Sequence, residues 1–277
     1  MMDRGLRGVV MDRLDELEAK SIYILREAYK KFGKLGILWS MGKDSTVLVW
    51  LAKKAFFGSV PFPVIHIDTT FKFPQMYAFR TSLAKEWNLN LMIGTNKEAI
   101  SRGVNYQNHT ALQVCDELKT QALRQFVDQH KFEGLILAIR ADEEGSRSKE
   151  RFFSRRNTDF EWNYAEQPPE LWDQFNTGFK KGEHIRVHPI LHWTELDVWE
   201  YIHRENIPLV DLYFAKNGKR YRSLGCMPIT FPINSDADTV DKIIDELKHT
   251  KTAEREGRGQ DKEDQYALQK LRAKGYM

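Results

Sequence analysis

Ile37-Leu38-Trp39-Ser40-Met41-Gly42-Lys43-Asp44-Ser45-Thr46 is an apolar run that ends in a small polar loop, and Thr46-Val47-Leu48-Val49-Trp50-Leu51 continues from it as a helical pattern. Strand, tight loop and helix start form a geometry that binds phosphate. The first backbone N–H groups of a helix have no partner within it, and the helix dipole puts partial positive charge at the same end. Gly42 lets the backbone approach an anion closely, and Lys43 adds a charge. Ser40 and Ser45 offer hydroxyls to phosphate oxygens, and Asp44 or Ser45 is expected to cap the helix.

The loop is not a Walker A loop, which needs two glycines separated by four residues, followed by Lys and then Ser or Thr. Here Gly36 and Gly42 are separated by five residues and Asp44 follows the lysine. A carboxylate at that place repels a triphosphate unless it caps the helix or holds a metal. The match is to the pyrophosphate loop, Ser-x-Gly-Lys-Asp-Ser, of enzymes that split ATP between its α- and β-phosphates. A plain strand-to-helix turn could use the same six residues, so the rest of the chain decides.

The 277 residues suit one large domain with an extension, or two small ones. With 42% hydrophobic and 29% charged residues the chain can build a globular core. A net charge of +3 gives no reason to expect nucleic acid or membrane as a partner, so any basic site is local. Only Cys115 and Cys226 occur, without a Cys-x-x-Cys, which argues against zinc and iron–sulfur sites. Nothing points to a flavin. Residues 1–20 are charged and lack an apolar signal core, and no apolar run reaches the ~18–20 residues of a membrane span, so a cytoplasmic protein is expected.

In chain order, the spacing of Val10, Leu14, Leu17, Ile22, Leu25, Ala28 and Tyr29 predicts a helix from about 9 to 32, stopped by Gly33. The strand at 37–39 and a helix from about 45 to 56 come next. A second strand, 64–68, ends in Asp68. A helix from 74 to about 87, a third strand at 89–94, an amphipathic segment at 116–130 and a fourth strand at 135–139 follow. Alternating strands and helices, with strands apolar throughout, predict an α/β fold: a parallel twisted sheet with helices on both faces. Ligands of such sheets bind beyond the carboxyl ends of the strands. That edge would gather Gly42 and Lys43 after the first strand, Asp68 at the end of the second and Arg140 after the fourth.

Between 145 and 158 the chain carries Arg147, Lys149, Arg151, Arg155 and Arg156 against Glu150 alone, a local charge of +4. A solvated loop is the plain interpretation. Because the run starts at the functional edge, its cations are expected to meet phosphates or a second anionic substrate. Residues 159–183 hold Trp162, Tyr164, Trp172, Phe175 and Phe179 and read as an ordered aromatic loop packed on the core. A short strand from 184 to 190 carries His184 and His188. His192 continues their four-residue spacing, but the stretch is extended and Pro189 interrupts it, which argues against a metal site. Thr194 then caps a helix, with Asp197 in the capping-box place.

From about 206 the character changes. The turn Asn217-Gly218-Lys219-Arg220 leads into a small-residue loop with cations, 221–228, then helices at 237–249 and about 261–273. This tail has few core residues and is expected to lie over the sheet edge as a lid or as a partner contact. The segments are therefore an N-terminal helix packed on the core (1–34), the α/β nucleotide-binding catalytic domain (35–205) and a C-terminal helical and irregular extension (206–277).

Together these segments resemble the small, catalytic subunits of the bacterial two-subunit ATP sulfurylases, the sulfate adenylyltransferase subunit 2 family. The resemblance runs through Ser40-Met41-Gly42-Lys43-Asp44-Ser45, His66-Ile67-Asp68-Thr69, Arg140 with Asp142-Glu143-Glu144, and Ser146-Arg147-Ser148-Lys149-Glu150-Arg151. It continues in Trp193-Thr194-Glu195-Leu196-Asp197-Val198-Trp199, Leu224-Gly225-Cys226 and Glu254-Arg255-Glu256-Gly257-Arg258. It covers nearly the whole chain in the right order. The wider adenine nucleotide α-hydrolase family shares only the first of these elements. The chain departs from the pattern at Thr70, where the family usually has Gly, at Ala141, where it has a second Arg, and at Met227, where Trp is common. The segment between Tyr213 and Arg222 is also shorter.

The resemblance implies adenylyl transfer from ATP to sulfate, giving adenylyl sulfate and pyrophosphate, the first step of sulfate assimilation. It also implies a GTPase large subunit as partner, whose hydrolysis cycle drives an uphill reaction. The chain itself has no Walker A loop. Sulfate needs no general base, so the chemistry rests on in-line positioning and cations. Ser40, Gly42, Lys43, Asp44, Ser45 and Asp68 are the expected nucleotide contacts, with the 43–46 amides on the pyrophosphate. Lys43, Arg140, Arg147 and Arg151 are the expected catalytic cations, and Arg222, Arg255 and Arg258 the expected closing residues. Mg²⁺ is expected on the phosphates, with Asp44, Asp68 and Asp142 as candidate ligands. A reductase of adenylyl or phosphoadenylyl sulfate would need a reactive cysteine near the C-terminus, and none follows Cys226. An RNA-thiolating enzyme would need paired cysteines. A non-catalytic nucleotide-binding scaffold of the same fold is the remaining alternative.

Overall fold

Asp12 starts the first helix, accepting from the Asp15 amide while the Asp15 carboxylate accepts from the amide of Asp12. This helix, α1 (Arg13–Lys31), opens the part of the chain that the computed structural model describes, residues 11–145 and 147–255. The spacing of Leu17, Ser21, Ile24, Leu25 and Ala28 turns one face of α1 into the core. Then β1 (Leu35–Leu38), α2 (Lys43–Ala55), β2 (Val64–Ile67), α3 (Pro74–Glu86) and β3 (Leu91–Gly94) alternate as expected. The short helices α4 (Lys97–Ser101) and α5 (Ala111–Cys115) lead through a π-helical segment, Asp116–Gln121, into α6 (Ala122–His130) and β4 (Gly134–Ile136). After β5 (Phe153–Arg156) and β6 (His184–Val187) come α7 (Glu195–Glu205), a small antiparallel pair of β7 (Lys219–Arg220) and β8 (Ile233–Asn234), and α8 (Val240–His249).

The main sheet has the order β3-β2-β1-β4-β6-β5, with β5 antiparallel to β6 and every other pairing parallel. Ile37 of β1 stands opposite Val64 on one side and Ile136 on the other. The chain leaves β1 toward β2 and β3, then returns to build β4 and β6 on the far side. β1 is therefore the switch point, where a crevice opens beyond the strand ends. Both faces are covered. Leu25, Leu48, Trp199 and Ile243 share one core cluster, so α1, α2, α7 and α8 meet on one face. Ile65, Leu123, Phe126 and Leu135 share the other, under α6. That face comes close at Gly36, where a Cβ would lie 2.5 Å from Ile65 Cδ1 and 3.0 Å from Phe132.

Two expectations need correcting. The cationic run is not all loop, because residues 153–156 form the antiparallel edge strand. Two adjacent arginines hide any apolar alternation. Arg156 can be buried there because Glu150 pairs with it at 2.8 Å and Trp162 lies 5.1 Å beneath its guanidinium. The aromatic loop is also only partly packed. Phe175 stacks on Phe153 at 4.6 Å and Trp162 is buried, but Trp172 is 87% exposed. No described helix is long and apolar enough to cross a membrane.

His66, His188 and His192 are held well below the ordinary imidazole range, at about 3, 4 and 4, with burial the foremost cause. Burial also lowers His184. Neutral in the fold, they must take up protons on unfolding below their ordinary value near 6.5. Their stabilisation is therefore complete above that value and is lost as pH falls toward 4. Urea unfolding at pH 7.5 and 5.5 should show a loss of roughly 1.4 kcal/mol for each of the three. A stability independent of pH over that interval would contradict their burial.

Candidate active site

The crevice at the switch point is lined by the loop after β1, the ends of β2 and β4, the turn after β7 and the last described residues. The loop after β1 is built differently from its sequence reading. Gly42 is the N-cap of α2, with no side-chain cap, and Lys43 is already helical. Asp44 and Ser45 therefore do not cap the helix but lie within its first turn. The left-handed residue is Met41, at φ 61° and fully buried, so the conformational demand falls one residue before the glycine. Ser45 Oγ accepts from the Ser40 amide at 3.2 Å and lies 3.1 Å from Ser40 Oγ, which links the two hydroxyls across the loop mouth. Thr46 donates to the Gly42 carbonyl at 2.9 Å and accepts from the Trp39 indole at 3.2 Å. Of the four amides expected to face phosphate, Lys43 donates to the Tyr213 hydroxyl at 2.9 Å and Thr46 donates to Gly42.

Lys43 and Arg140 converge from the ends of β1 and β4, with 1% and 0% of their side chains exposed. Both contact the same two carboxylates. Lys43 Nζ is 3.1 Å from Asp44 and also bonds Glu254, and the Arg140 guanidinium bonds Asp44 and Glu254 together. Burial pushes the Lys43 ammonium down, but Asp44, Glu254 and Glu195 outweigh it, so the group stays charged above the usual lysine range. Burial pushes the Glu254 carboxyl up, but Arg140 and Lys43 hold it at about 2. Beside this pair, Glu143 bonds Arg147 and accepts from Arg255 at 3.1 Å. Burial raises the Glu143 carboxyl, yet Arg147 and Arg255 keep it below the usual range.

Ser40, Gly42, Lys43, Asp44, Ser45, Arg147 and Arg255 thus line one crevice, with Arg140 directly behind. Other expected residues lie elsewhere. Asp68 accepts from Thr70 N, Tyr77 and Arg80, at 2.8, 2.8 and 3.1 Å. Asp142 accepts from Arg140 Nε at 2.9 Å and from the Glu195 amide at 2.8 Å, so it joins β4 to the N-terminus of α7. The candidate metal set Asp44, Asp68 and Asp142 is therefore not assembled: among the described residues no three such side chains form a metal-holding group, and Asp68 and Asp142 are turned to partners of their own. Arg151 lines a separate depression with Phe153, its Nε 3.4 Å from the Pro168 carbonyl. Arg222 forks onto Glu195 at 2.7–3.2 Å and donates to the Thr252 carbonyl at 2.7 Å, which ties the last described segment down. Arg258 and Ser146 lie outside the described residues.

Sequence reasoning missed Glu254, Glu143, Glu195 and Tyr213. Glu143, Glu195 and Glu254 all stand in the motifs that carry the resemblance, with no site role expected of them there. The available signal was charge balance: cations destined for burial need carboxylates.

Residues 34–232 match the family model of the phosphoadenosine phosphosulfate reductase domain. The fold is similar to that of phosphoadenylyl-sulfate reductase from Candida auris in its phosphate complex, with a TM-score of 0.55 and 17% identity over 80% of this chain and 98% of that one. It is similar also to the FMN adenylyltransferase of Candida glabrata in complex with ATP, with a TM-score of 0.56 and 18% identity over 79% and 63% of the two chains. Fold and crevice together define a nucleotide-binding protein of this α/β class. Sulfate adenylyltransferase subunit 2 of Geotalea uraniireducens is 42% identical, over 96% of this chain and 98% of its own. The chain belongs to the sulfate adenylyltransferase subunit 2 family.

Thr70 has φ 65°. A β-branched residue is strained in that left-handed conformation. Thr70→Gly should therefore raise stability by about 1 kcal/mol, read as a higher urea midpoint. A lowered midpoint would show that the side chain contributes contacts worth more than the strain.

Proposed function

We propose that this chain transfers the adenylyl group of ATP to sulfate, in the cytoplasm, as the catalytic subunit of a two-subunit enzyme whose other subunit is a GTPase. The observation that carries the reading is the convergence of Lys43 and Arg140 on one carboxylate, that of Glu254, at the mouth of the pyrophosphate loop. A seat in which two buried cations share an anion suits a phosphate oxygen. Glu254 holds that seat in place of the β- and γ-phosphates, and ATP displaces it.

A sulfate oxygen attacks the α-phosphorus. The new bond joins that oxygen to phosphorus, the bond from phosphorus to the oxygen bridging to the β-phosphate breaks, and pyrophosphate leaves with the electron pair. Sulfate is already ionised, so no proton has to move. Lys43 and Arg140 hold the leaving pyrophosphate, and Arg147 and Arg255 cancel charge beside it. Lys43 keeps its proton throughout the neutral range, because its carboxylate neighbours hold it charged. Asp44, a hard oxygen donor beside the loop, is the residue that would hold Mg²⁺ together with the phosphates. Bound there, the ion would neutralise the leaving group.

Incubating the purified chain and its partner subunit with ATP, GTP, labelled sulfate and pyrophosphatase should yield labelled adenylyl sulfate. Retained ATP binding with no such product would favour a nucleotide-binding scaffold. Glu254→Gln removes the resident negative charge while keeping the side-chain shape. ATP binding in EDTA, followed by calorimetry, should tighten by about threefold, or roughly 0.7 kcal/mol. Unchanged or weaker binding would mean that Glu254 does not compete with phosphate.

A further inference from the structure

The crevice has a second wall that the phosphate loop does not build. It consists of Thr69 and Lys72, just beyond β2, Lys119, and the turn at 223–226. The wall is tied together at two points. Thr69 Oγ1 lies 3.1 Å from Cys226 Sγ, and the Met227 amide donates to the Phe71 carbonyl at 2.7 Å. Lys72 lines the crevice and is 9% exposed.

The two walls differ in charge. Three carboxylates line the crevice, those of Asp44, Glu143 and Glu254. Each bonds cations on the phosphate-loop side: Lys43, Arg140, Arg147 or Arg255. The second wall presents lysines, hydroxyls, a thiol and glycine backbone. Its positive potential can be read at Cys226. Burial pushes this thiol up, yet it sits below the ordinary thiol value, and Lys72 is the foremost cause of the lowering. Lys72 is also the largest charged contributor to the depressed His66.

In-line displacement needs two anion sites, one on each side of the α-phosphorus. Cations that hold the leaving pyrophosphate cannot also hold the incoming oxyanion. Arg151 faces a different depression, so it does not supply the second site. We infer that the wall formed by Thr69, Lys72 and the 223–226 turn is the subsite for the attacking sulfate, with Lys72 as its cation. This rests on the adenylyl-transfer reading above and names the part of the crevice that the second substrate occupies. Ser223, Gly225 and Cys226 of the turn are small, which suits a compact tetrahedral dianion, and the hydroxyls of Thr69 and Ser223 are donors of the kind it accepts.

The test uses the chain together with its partner subunit and varies sulfate and ATP independently. Lys72→Met should raise the KM for sulfate by about tenfold or more, the loss of one charge-assisted hydrogen bond, and leave that for ATP within about twofold. Lys72→Arg should fall between Lys72→Met and the unsubstituted chain. A role in packing alone would not give that split between substrates. An unchanged sulfate KM, or a rise of both constants in step, would overturn the assignment. Should Lys72→Met fail to fold, by circular dichroism, Lys72→Arg and Ser223→Ala are judged by the same criterion. An unsubstituted enzyme that makes no adenylyl sulfate refutes the adenylyl-transfer reading itself, and does so before any variant is compared.

Discussion

Two cations buried side by side at the edge of a sheet cannot persist without anions. Withdrawing an ammonium or a guanidinium from water costs several kcal/mol even after relaxation, and only close, well-directed carboxylates offset it. Lys43 and Arg140 are such a pair, and the rest of the site is arranged to satisfy them. Asp44 comes from the same helix turn, Asp142 from the residue after next to Arg140, and Glu254 from far along the chain. Through Glu254 the last described segment is drawn over the phosphate loop. Through Arg222, which holds both Glu195 and the Thr252 carbonyl, that segment is anchored to α7.

This arrangement makes the crevice suit a polyanion. Carboxylates satisfy the buried cations, and phosphate oxygens can take the place of carboxylate oxygens with similar geometry. The chemistry that fits is electrostatic. Of the groups that line the crevice, His66 is held neutral and Lys43 is held charged, so neither exchanges a proton near neutrality. A reaction that needs positioned charge, and no proton transfer, is matched to such a set.

Charge that looks alike in the sequence is divided by the fold into different tasks. The arginines and lysine between 145 and 158 formed one cationic run. In the structure Arg147 joins the crevice, Arg156 is buried against Glu150 and Trp162, Lys149 lies over the Tyr164 ring, and Arg155 reaches toward Glu183. The edge strand β5 takes up the end of the run and turns its successive residues to opposite sides. Arg220, another buried cation, pairs with Glu246 of α8 and serves the C-terminal packing.

The sequence by itself determined the α/β architecture, because uniformly apolar short strands alternating with amphipathic helices fit only a sheet covered on both faces. It also located the phosphate loop, whose residue types are local in their chemistry: Gly42, Lys43 and the two serines act through a turn only a few residues long. It brought Arg140 to the same edge, since strand ends in a parallel sheet share one side. Tertiary structure alone decided which carboxylates complete the site, that Asp68 turns to Arg80, and that Arg151 faces elsewhere. The reason is range. Backbone patterning is set by neighbours three or four residues away, whereas the partner of a buried charge is fixed by how distant segments pack, and Glu254 stands 211 residues from the lysine it neutralises.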